Sequence, residues 1–562
     1  MNATILALVG LVSFALGYQF YSKFIAEKIY RLDPDFETPA HAQRDNNDFI
    51  PTHRFVLWGH HFTAVAGAAP IIGPGIAVIW GWLPAFIWVV IGTIFMAGVH
   101  DFGAIWASVR NRAVSIGTLT GSVVGTRARL LFTIVIFLLL LMVNAVFAVA
   151  IADAFIETPA SVIPAWSAIF VAVVIGVLIY RMGVGLLWPT VVGTAALYAV
   201  IYLGELVPVV LPASFAGFAP GAQWILILFA YATIASLLPV WLLLQPRDYI
   251  NGVQLFVGLG LIYGAVILAS PTIVAPAING NVPAGAPPIM PLLFVTVGCG
   301  AISGFHGLVG SGTTSKQLNR ETDARFVGYL GSVGEGALAL AATIAATAGF
   351  ASLGEWESVY HEFGAGGVTA FVNGGAAIVN QGTGLSIQTA ATLLTVMAVL
   401  FAGTTMDAGV RLQRYIVQEW GQVYGIPILQ NGYVATCVAV AACLVLAFGA
   451  GGLEGTGGMI IFPLFGTTNQ LLAGLTLLVL TMMLARLGRP IIYTAVPMVF
   501  VTLISFLAAL YQLWDLYRTE EYLLLAIDIL IVIAAVFVVL EATSALLRER
   551  RQPRTDAVTE LE

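Results

Sequence analysis

Apolar stretches of about the length of a membrane-spanning helix recur along the whole sequence. A helix needs about 20 apolar residues to cross the hydrocarbon core of a bilayer, and fifteen stretches of the 562-residue chain meet that length. The predicted spans are residues 3–22, 56–79, 82–108, 130–153, 162–180, 187–208, 223–244, 253–271, 290–310, 326–350, 387–409, 432–450, 458–485, 490–513 and 522–546. Only 9% of the residues are charged, against about a quarter in soluble domains. The sequence predicts an all-α polytopic membrane protein.

Lysine and arginine positions test these spans independently, because basic residues accumulate in cytoplasmic loops. With the N-terminus outside, 22 of the 23 basic residues lie in cytoplasmic loops, and only Arg518 lies outside. The first stretch lacks the basic leader and the cleavage site of a signal peptide, so we expect a retained helix. The prediction is an external N-terminus and a cytoplasmic C-terminus.

The spans divide into four predicted segments. They are a leading span with a cytoplasmic loop (1–55), a ten-helix core (56–410), four additional spans (411–547) and a cytoplasmic tail (548–562). Within the external loop that follows the tenth span, residues 367–379 are glycine-rich and too short to cross a bilayer. We expect them to form a short surface or re-entrant element.

The second span contains residues that suit a lipid-facing helix poorly. The stretch Trp58–Gly75 reads WGHHFTAVAGAAPIIGPG, with two histidines, four glycines and two prolines. This composition predicts a helix broken at Gly67, Ala68, Ala69 and Pro70. Backbone groups freed at membrane depth must face a cavity, a solute or other protein. We therefore expect the break to line a substrate site, where free N–H groups can hold a carboxylate.

A second break is predicted in the seventh span, at Ser236-Leu237-Leu238-Pro239. Secondary transporters place their site where broken helices from two inverted repeats meet. The second and seventh spans are five apart and run in opposite directions. This arrangement predicts a LeuT-like core of two five-helix inverted repeats, with Ser236 and Pro239 contributing to the substrate site.

A third irregular stretch, Gly298–Lys316, covers the ninth span and its inner loop. In the predicted repeat it is the eighth helix of the ten-helix core. Such a helix packs against the first broken helix and helps to hold a coupling ion in LeuT-like folds. We expect Ser303 and His306 to face residues 66–70.

Several titratable residues are candidates for ion coupling or gating. A carboxylate within a span is costly and usually marks an ion or proton path, which singles out Asp101 and Glu335. The alternatives are a structural hydrogen bond for Glu335 and an interfacial role for Asp101. The adjacent His60 and His61 point to different helix faces, so a shared metal is not expected. They serve either as a gate or proton relay, or in helix packing.

Two further motifs combine polar groups near span ends. Asp407 precedes Arg411 by four residues, which predicts a local ion pair on one helix face. Arg247 and Asp248, which follow the seventh span, also combine a basic and an acidic residue. A gating latch is the alternative for both motifs. Asn469 and Gln470 are amides at membrane depth. We interpret them first as interhelical hydrogen bonds and second as site contacts.

Five motifs carry a family resemblance. They are GHHFTAVAGAAPIIGPG, QPRDYING, GAISGFHGLVGSGTTSKQLNRETDARFVGY, TTMDAGVRLQRY and FPLFGTTNQLLAG. In order and spacing they resemble the carbon-starvation protein A family of inner-membrane transporters. The resemblance runs from about residue 50 to residue 490. It departs at Gly67-Ala68-Ala69-Pro70, where the family's usual sequence is GAGP, and at Phe462-Pro463, where it is WP.

The resemblance implies uptake of peptides or of small carboxylates such as pyruvate. It implies an ion gradient as the driving force, with protons as the expected coupling ion. It also implies a LeuT-like core of the amino acid/polyamine/organocation superfamily, and induction by carbon starvation.

The sequence also bears on functional classes other than a secondary transporter. No GxxxxGK[ST] motif is present, which disfavours an ATP-driven pump. The net charge of −6 is spread without a basic patch, so nucleic-acid binding is not expected. A membrane enzyme would use His60, His61, His306 and Glu335, but no tight ligand motif such as HExxH accompanies them, and we expect neither a cofactor nor a metal. A nutrient sensor that binds the same solutes without transport is the remaining alternative.

Overall fold

The apolar stretches form long helices. The structure is a computed structural model that describes residues 1–45, 48–185, 187–239, 242–455 and 457–549. Among these residues, fourteen helices are long and apolar enough to cross a membrane, and one bent helix pair forms a fifteenth span. The spans are α1 Ala3–Tyr30, α2 Arg54–Ala66 with Ala69–Trp80, α3 Trp82–Arg110, α4 Thr126–Glu157, α5 Pro159–Ile179, α6 Leu187–Leu206, α7 Pro220–Leu237, α8 Leu244–Ala269, α9 Ile289–Lys316, α10 Arg325–Ala348, α11 Ile387–Val423, α12 Gly432–Gly451, α13 Ile460–Arg486, α14 Ile492–Arg518 and α15 Tyr522–Ser544.

Each span overlaps one of the fifteen predicted stretches, so the polytopic all-α prediction is confirmed. Shorter helices lie between the spans: Pro39–Ala42, Ile116–Val123, Leu353–Val359, Gly367–Thr383 and Pro427–Gln430. From residue 550, the predicted tail lies outside the described residues. The four-segment division stays a prediction.

Some spans are central and others peripheral. The most apolar windows of α9 and α13 are each 94% buried, whereas those of α1 and α6 are 33% buried. A helix that is buried all round needs no polar face, and polar side chains on α9 and α13 therefore meet other helices rather than solvent. The candidate site residues concentrate on these central helices and on α2, α3 and α10.

The break in α2 lies where the sequence predicts it. The first half ends at Ala66, the second begins at Ala69, and the two are bent by 48°. Gly67 has φ +54°, a conformation that strains other residues. Pro70 occupies the first turn of the second half, where its missing N–H costs nothing. The GAAP motif thus encodes the break directly.

The second broken helix is α9. It is helical over Ile289–Val297, makes a 3₁₀ turn over Gly298–Gly300, and resumes at Gly304. The two broken helices cross closely, since a Cβ added to Gly73 in α2 would lie 2.2 Å from the carbonyl oxygen of Thr296 in α9. The irregularity predicted for Gly298–Lys316 is confirmed, and it is a full break.

The predicted break within the seventh span is wrong. Helix α7 ends at Leu237, and Leu238 is extended, with φ −72° and ψ 152°. Leu238 precedes Pro239, whose ring disfavours a helical conformation for the preceding residue. Gln245–Asp248 belong to the first turns of α8. The broken spans are therefore α2 and α9, seven apart, and the five-plus-five inverted repeat remains a prediction.

The helix Gly367–Thr383, called the outer helix below, packs across the side that the basic-residue pattern assigns as external. A Cβ on its Gly374 would meet the carbonyl oxygen of Ala345 at the end of α10, and one on its Gly382 would meet that of Ala265 at the end of α8. Most of its residues from Gly367 to Val379 are buried. Residues 367–379 thus belong to a longer, largely buried helix, so the surface alternative is wrong and the re-entrant alternative stays a prediction.

Candidate functional site

Three titratable residues predicted from separate spans meet in one network. His306 of α9 lies between Asp101 of α3 and Glu335 of α10, and all three are at most 1% exposed. Its Nδ1 is 2.7 Å from Oδ2 of Asp101, and its Nε2 is 3.0 Å from Oε2 of Glu335. The imidazole therefore links two carboxylates through its two nitrogens.

Two more polar side chains complete this network. Nδ1 of His100 lies 2.7 Å from Oδ1 of Asp101, and the Ser332 hydroxyl donates to Oδ2 of Asp101 over 2.5 Å. Sequence reasoning did not select either residue as a site residue. The available signals were the adjacency of His100 to Asp101 and the position of Ser332, three residues before Glu335 on one helix face.

Small residues allow the helices of the network to approach. On α10, a Cβ on Gly331 would lie 2.9 Å from the imidazole of His61, and a Cβ on Gly334 would lie 2.7 Å from the ring of Phe62. On α9, a Cβ on Gly307 would lie 3.2 Å from the imidazole of His100. The glycine spacing on α9 and α10 thus positions the charged groups against α2 and α3.

The network has the chemistry of a proton site. An imidazole with a carboxylate at each nitrogen can accept a proton on one side and release one on the other. Groups this close titrate as a unit, so a gained or lost proton changes the charge of the whole cluster. In the described part of the chain, no group of three or more His, Cys, Asp or Glu side chains has a metal-binding arrangement.

The adjacent histidines His60 and His61 have different partners, as the sequence predicts. Nδ1 of His61 is 2.8 Å from Oγ1 of Thr314, at the inner end of α9. Nδ1 of His60 is 2.7 Å from Oδ2 of Asp248 in α8. The first half of α2 is therefore tied to α9 on one face and to α8 on another.

Asp407 forms an ion pair with Arg247 of α8 rather than with Arg411, so the predicted local pair is wrong. The Tyr231 hydroxyl donates to Oδ2 of Asp407 over 2.7 Å. Arg411 instead donates to the carbonyl oxygens of Ala235 and Leu238, at 3.0 and 2.8 Å. The last carbonyl groups of a helix lack partners within it and attract cations, and this attraction outweighs the local pair.

Ser236 and Pro239 lie at this inner end of α7. The carbonyl oxygen of Ser236 accepts a hydrogen bond from Arg414 over 2.7 Å, and its hydroxyl donates to the carbonyl oxygen of Thr233 over 3.0 Å. The reason for assigning the two residues to a substrate site, a break within α7, is absent.

The break in α2 faces α4 and α11. A Cβ on Gly67 would lie 2.9 Å from Oγ1 of Thr405 in α11 and 3.0 Å from the ring of Phe147 in α4. The Thr405 hydroxyl is buried and has no hydrogen-bond partner among the described residues. Ala68, Ala69 and Pro70 are buried at the start of the second half-helix. The break thus combines a helix N-terminus with an unused hydroxyl.

The sequence predicts that Ser303 and His306 face the break in α2, but in the structure their side chains have other partners. His306 joins the carboxylates described above, and Ser303 lies at the break in α9. There Oδ1 of Asn469 in α13 accepts hydrogen bonds from the backbone N–H of Phe305 and from the Ser303 hydroxyl, over 2.9 and 3.2 Å. Asn469 therefore holds the resumed half of α9, which confirms its interpretation as an interhelical contact.

The fifteen described spans, two crossed broken helices and a buried network of titratable side chains are the architecture of a multi-pass membrane transporter. The family model described as "Carbon starvation protein CstA" matches residues 2–356 and 352–508. The chain belongs to the CstA family. The resemblance seen in the five sequence motifs is thereby confirmed.

Named relatives cover most of the chain. It is 31% identical to the peptide transporter CstA of Campylobacter jejuni, over 89% of this chain and 79% of the relative. It is 31% identical to the pyruvate/proton symporter BtsT of Escherichia coli, over 85% and 76%. The peptide transporter CstA of Bacillus subtilis is 29% identical, over 93% and 92%. These relatives are transporters, not enzymes.

A solved structure shares the fold. The manganese transporter of Eremococcus coleocola aligns with a TM-score of 0.54 at 11% identity, over 90% of this chain and 99% of that chain. At this identity the likeness concerns the fold alone.

Proposed function

We propose that the chain is a secondary active transporter that imports a small organic nutrient, a peptide or a pyruvate-like carboxylate, together with protons. The observation that carries the proposal is the contact of His306 with both Asp101 and Glu335. Charged groups this deep in a membrane bundle are costly and are retained for ion or proton movement. The names of the relatives, a peptide transporter and a pyruvate/proton symporter, support both the substrate classes and the coupling ion.

The network is connected to the parts of the structure that a transport cycle would move. His306 lies in the second half of α9, which contacts the first half of α2 through Thr314 and His61. The first half of α9 contacts the second half of α2 at Gly73. Protonation at His306 changes the attraction between α3, α9 and α10. Movement of either half of α9 is therefore transmitted to α2.

The break in α2 is the proposed substrate site, with Gly67, Ala68, Ala69 and Pro70 as its backbone and Thr405 as an added side chain. The N-terminus of the second half-helix favours negative charge. Peptides and pyruvate share a carboxylate, so the site fits both classes. A ligand can shift the populations of two conformations only if it binds them with different affinity. A substrate at the break contacts both halves of α2, so its affinity changes when the halves move relative to each other.

Glu335→Gln tests the proton assignment in proteoliposomes. We expect wild-type protein to accumulate labelled pyruvate or labelled Ala-Ala-Ala under an inward proton gradient, and a protonophore to abolish that accumulation. Glu335→Gln should lose uphill uptake by at least tenfold while retaining substrate exchange, because the amide cannot carry the proton. Asp528→Asn is the control, since Asp528 is a buried carboxylate of α15 outside the network.

Three outcomes contradict parts of this proposal. Proton-driven accumulation by Glu335→Gln at the wild-type level would remove Glu335 from the coupling mechanism. Equal loss in Asp528→Asn would show a general effect of altering buried carboxylates. Saturable binding by wild-type protein without accumulation would favour a sensor of the same solutes.

A further inference from the structure

A cavity of about 230 Å³ lies beneath the outer helix. It is bounded by the end of α4, the first turns of the outer helix and the outer part of α11. Its polar lining consists of Glu157, Thr158, Thr369, Asn373 and Thr395. The volume is far above the roughly 30 Å³ that one water molecule occupies in the liquid. The cavity therefore has room for part of an organic solute.

The charge of the cavity comes from a single carboxylate. The Thr369 hydroxyl donates to Oε2 of Glu157 over 2.8 Å, which fixes the carboxylate at the wall of the cavity. No Lys, Arg or His lines the cavity, and none forms an ion pair with Glu157 among the described residues. The electrostatic potential of the cavity favours a cation and disfavours a free anion.

The wider outer surface also has an excess of negative charge. The segment between α10 and α11 has Glu355, Glu357 and Glu362 but neither lysine nor arginine. Arg518 is the single basic residue that the basic-residue pattern places outside. An excess of one sign of charge around an opening raises the local concentration of solutes of the opposite sign. The surroundings therefore reinforce the preference of the cavity.

The cavity lies at the outer end of the α4/α11 contact, whose inner part reaches the break in α2. On α11, Thr395 lines the cavity and Thr405 faces Gly67. Ten residues of helix correspond to about 15 Å. Ala398 and Ala402 lie between these threonines on the same face, at i+3 and i+7. On α4, Ala154 lines the cavity and Phe147 reaches the break.

We propose that this cavity is an outer recognition subsite for the ammonium group of a zwitterionic substrate such as a short peptide, with Glu157 as its counter-ion. The inference rests on the proposed transport function and narrows its substrate class. At about 3.3–3.6 Å per residue, a dipeptide or tripeptide is too short to contact Glu157 and Gly67 at once. The ammonium group is therefore recognised first, and the carboxylate binds at the break afterwards.

Uptake of labelled Ala-Ala-Ala tests the subsite, with unlabelled Ala-Ala-Ala and N-acetyl-Ala-Ala-Ala as competitors. In wild-type protein the free-amine peptide should compete at least fivefold better than the acetylated one. Glu157→Gln should raise the KM for Ala-Ala-Ala by about fivefold or more, as expected for a charge-assisted contact in a partly hydrated cavity. Its Vmax should stay near the wild-type value, and it should lose the discrimination between the two peptides.

Glu520→Gln is the matched control, because Glu520 is an exposed carboxylate that the basic-residue pattern places outside, in neither the cavity lining nor the acidic segment between α10 and α11. It should keep both the KM and the discrimination of the wild type. Glu157→Asp should restore part of the affinity, since the charge remains.

Other outcomes separate this inference from the proposed function. Equal competition by the two peptides in wild-type protein, or an unchanged KM in Glu157→Gln, would overturn the subsite. Proton-driven accumulation of pyruvate without peptide uptake or binding would overturn the subsite and leave proton-coupled transport intact. If neither solute accumulates, thermal stabilisation of the protein by Ala-Ala-Ala in detergent tests the subsite instead. Stabilisation that requires both the free amine of the peptide and Glu157 supports the subsite. A lack of such stabilisation overturns it.

Discussion

Buried charged residues from several spans meet in two groups. Asp101, His306 and Glu335 form one group, and Arg247 with Asp407 forms another with the Tyr231 hydroxyl. An isolated charge at membrane depth is costly, whereas a partner recovers part of that cost. The two groups differ in chemistry: the first contains an imidazole that can exchange protons, and the second contains a guanidinium that stays charged.

The Arg247–Asp407 pair makes a testable prediction about stability. Asp407→Leu or Arg247→Met alone should lower the free energy of unfolding by about 3–5 kcal/mol, because each leaves one buried charge without its partner. The double variant should recover most of that loss. Thermal unfolding in detergent of wild type, both single variants and the double variant measures the coupling.

Simple addition of the two single-variant losses in the double variant would show that the pair does not interact. Transport separates two roles for the pair. Restored stability with restored uptake would make it a structural contact, and restored stability with lost uptake would support a gating latch.

At the residue scale, the sequence shows which charged residues lie inside the spans but not how they combine. Asp101, His306 and Glu335 stand out because each is a titratable group inside an apolar stretch. Their contact depends on the packing of α3, α9 and α10, which are distant in sequence. The same limit explains Asp407. Its helical neighbour Arg411 is visible in the sequence, whereas Arg247 and the free carbonyl groups of α7 are brought near only by the tertiary fold.

At the element scale, the two broken helices are the organising feature. They cross where Gly73 of α2 meets the backbone of α9 at Thr296, and their breaks contact different neighbours. The break in α2 faces α4 and α11, and the break in α9 is held by Asn469 of α13. In the proposed function, a solute at the first break and a proton at His306 would act on two elements in direct contact.

Gly73→Ala tests that crossing. The added methyl group would lie 2.2 Å from the carbonyl oxygen of Thr296, so the backbones must separate. Overpacking of this kind costs about 1–3 kcal/mol, and we expect a lower thermal midpoint in detergent together with loss of uptake. Gly260→Ala in α8 is the control, because a Cβ there meets nothing within 4 Å. An unchanged midpoint in Gly73→Ala would contradict the close crossing.

The sequence predicts an element correctly where its own residues determine the backbone conformation. Gly67 and Pro70 mark the break in α2 because glycine permits the left-handed backbone and proline starts a helix well. The prediction that Pro239 breaks a span is wrong because residues 237–244 are all apolar and resemble one continuous span. The apolar sequence then runs without interruption from the end of α7 to Leu244, the first residue of α8, and a proline at a helix end looks like a proline within one.

At the scale of the whole molecule, the charge distribution gives the protein two different faces. The basic-residue pattern assigns loops rich in lysine and arginine to the cytoplasmic side and acidic segments to the outer side. That orientation places the outer helix and the Glu157 cavity outside. It also places the His60–Asp248 and Arg247–Asp407 contacts toward the cytoplasm. In the proposed import, a solute would pass the cavity, reach the break in α2 and leave past these contacts.

Cysteine labelling tests this orientation in intact cells. On a background with Cys299, Cys437 and Cys443 replaced by alanine, Glu357→Cys should react with a membrane-impermeant maleimide without permeabilisation. Gln43→Cys should react only after permeabilisation, because residue 43 lies in the first basic loop. Both side chains are exposed, so a difference in labelling reports the side of the membrane and not burial. The reverse pattern would turn the Glu157 cavity to the cytoplasm, where it would meet released substrate, and would invert the predicted route of import.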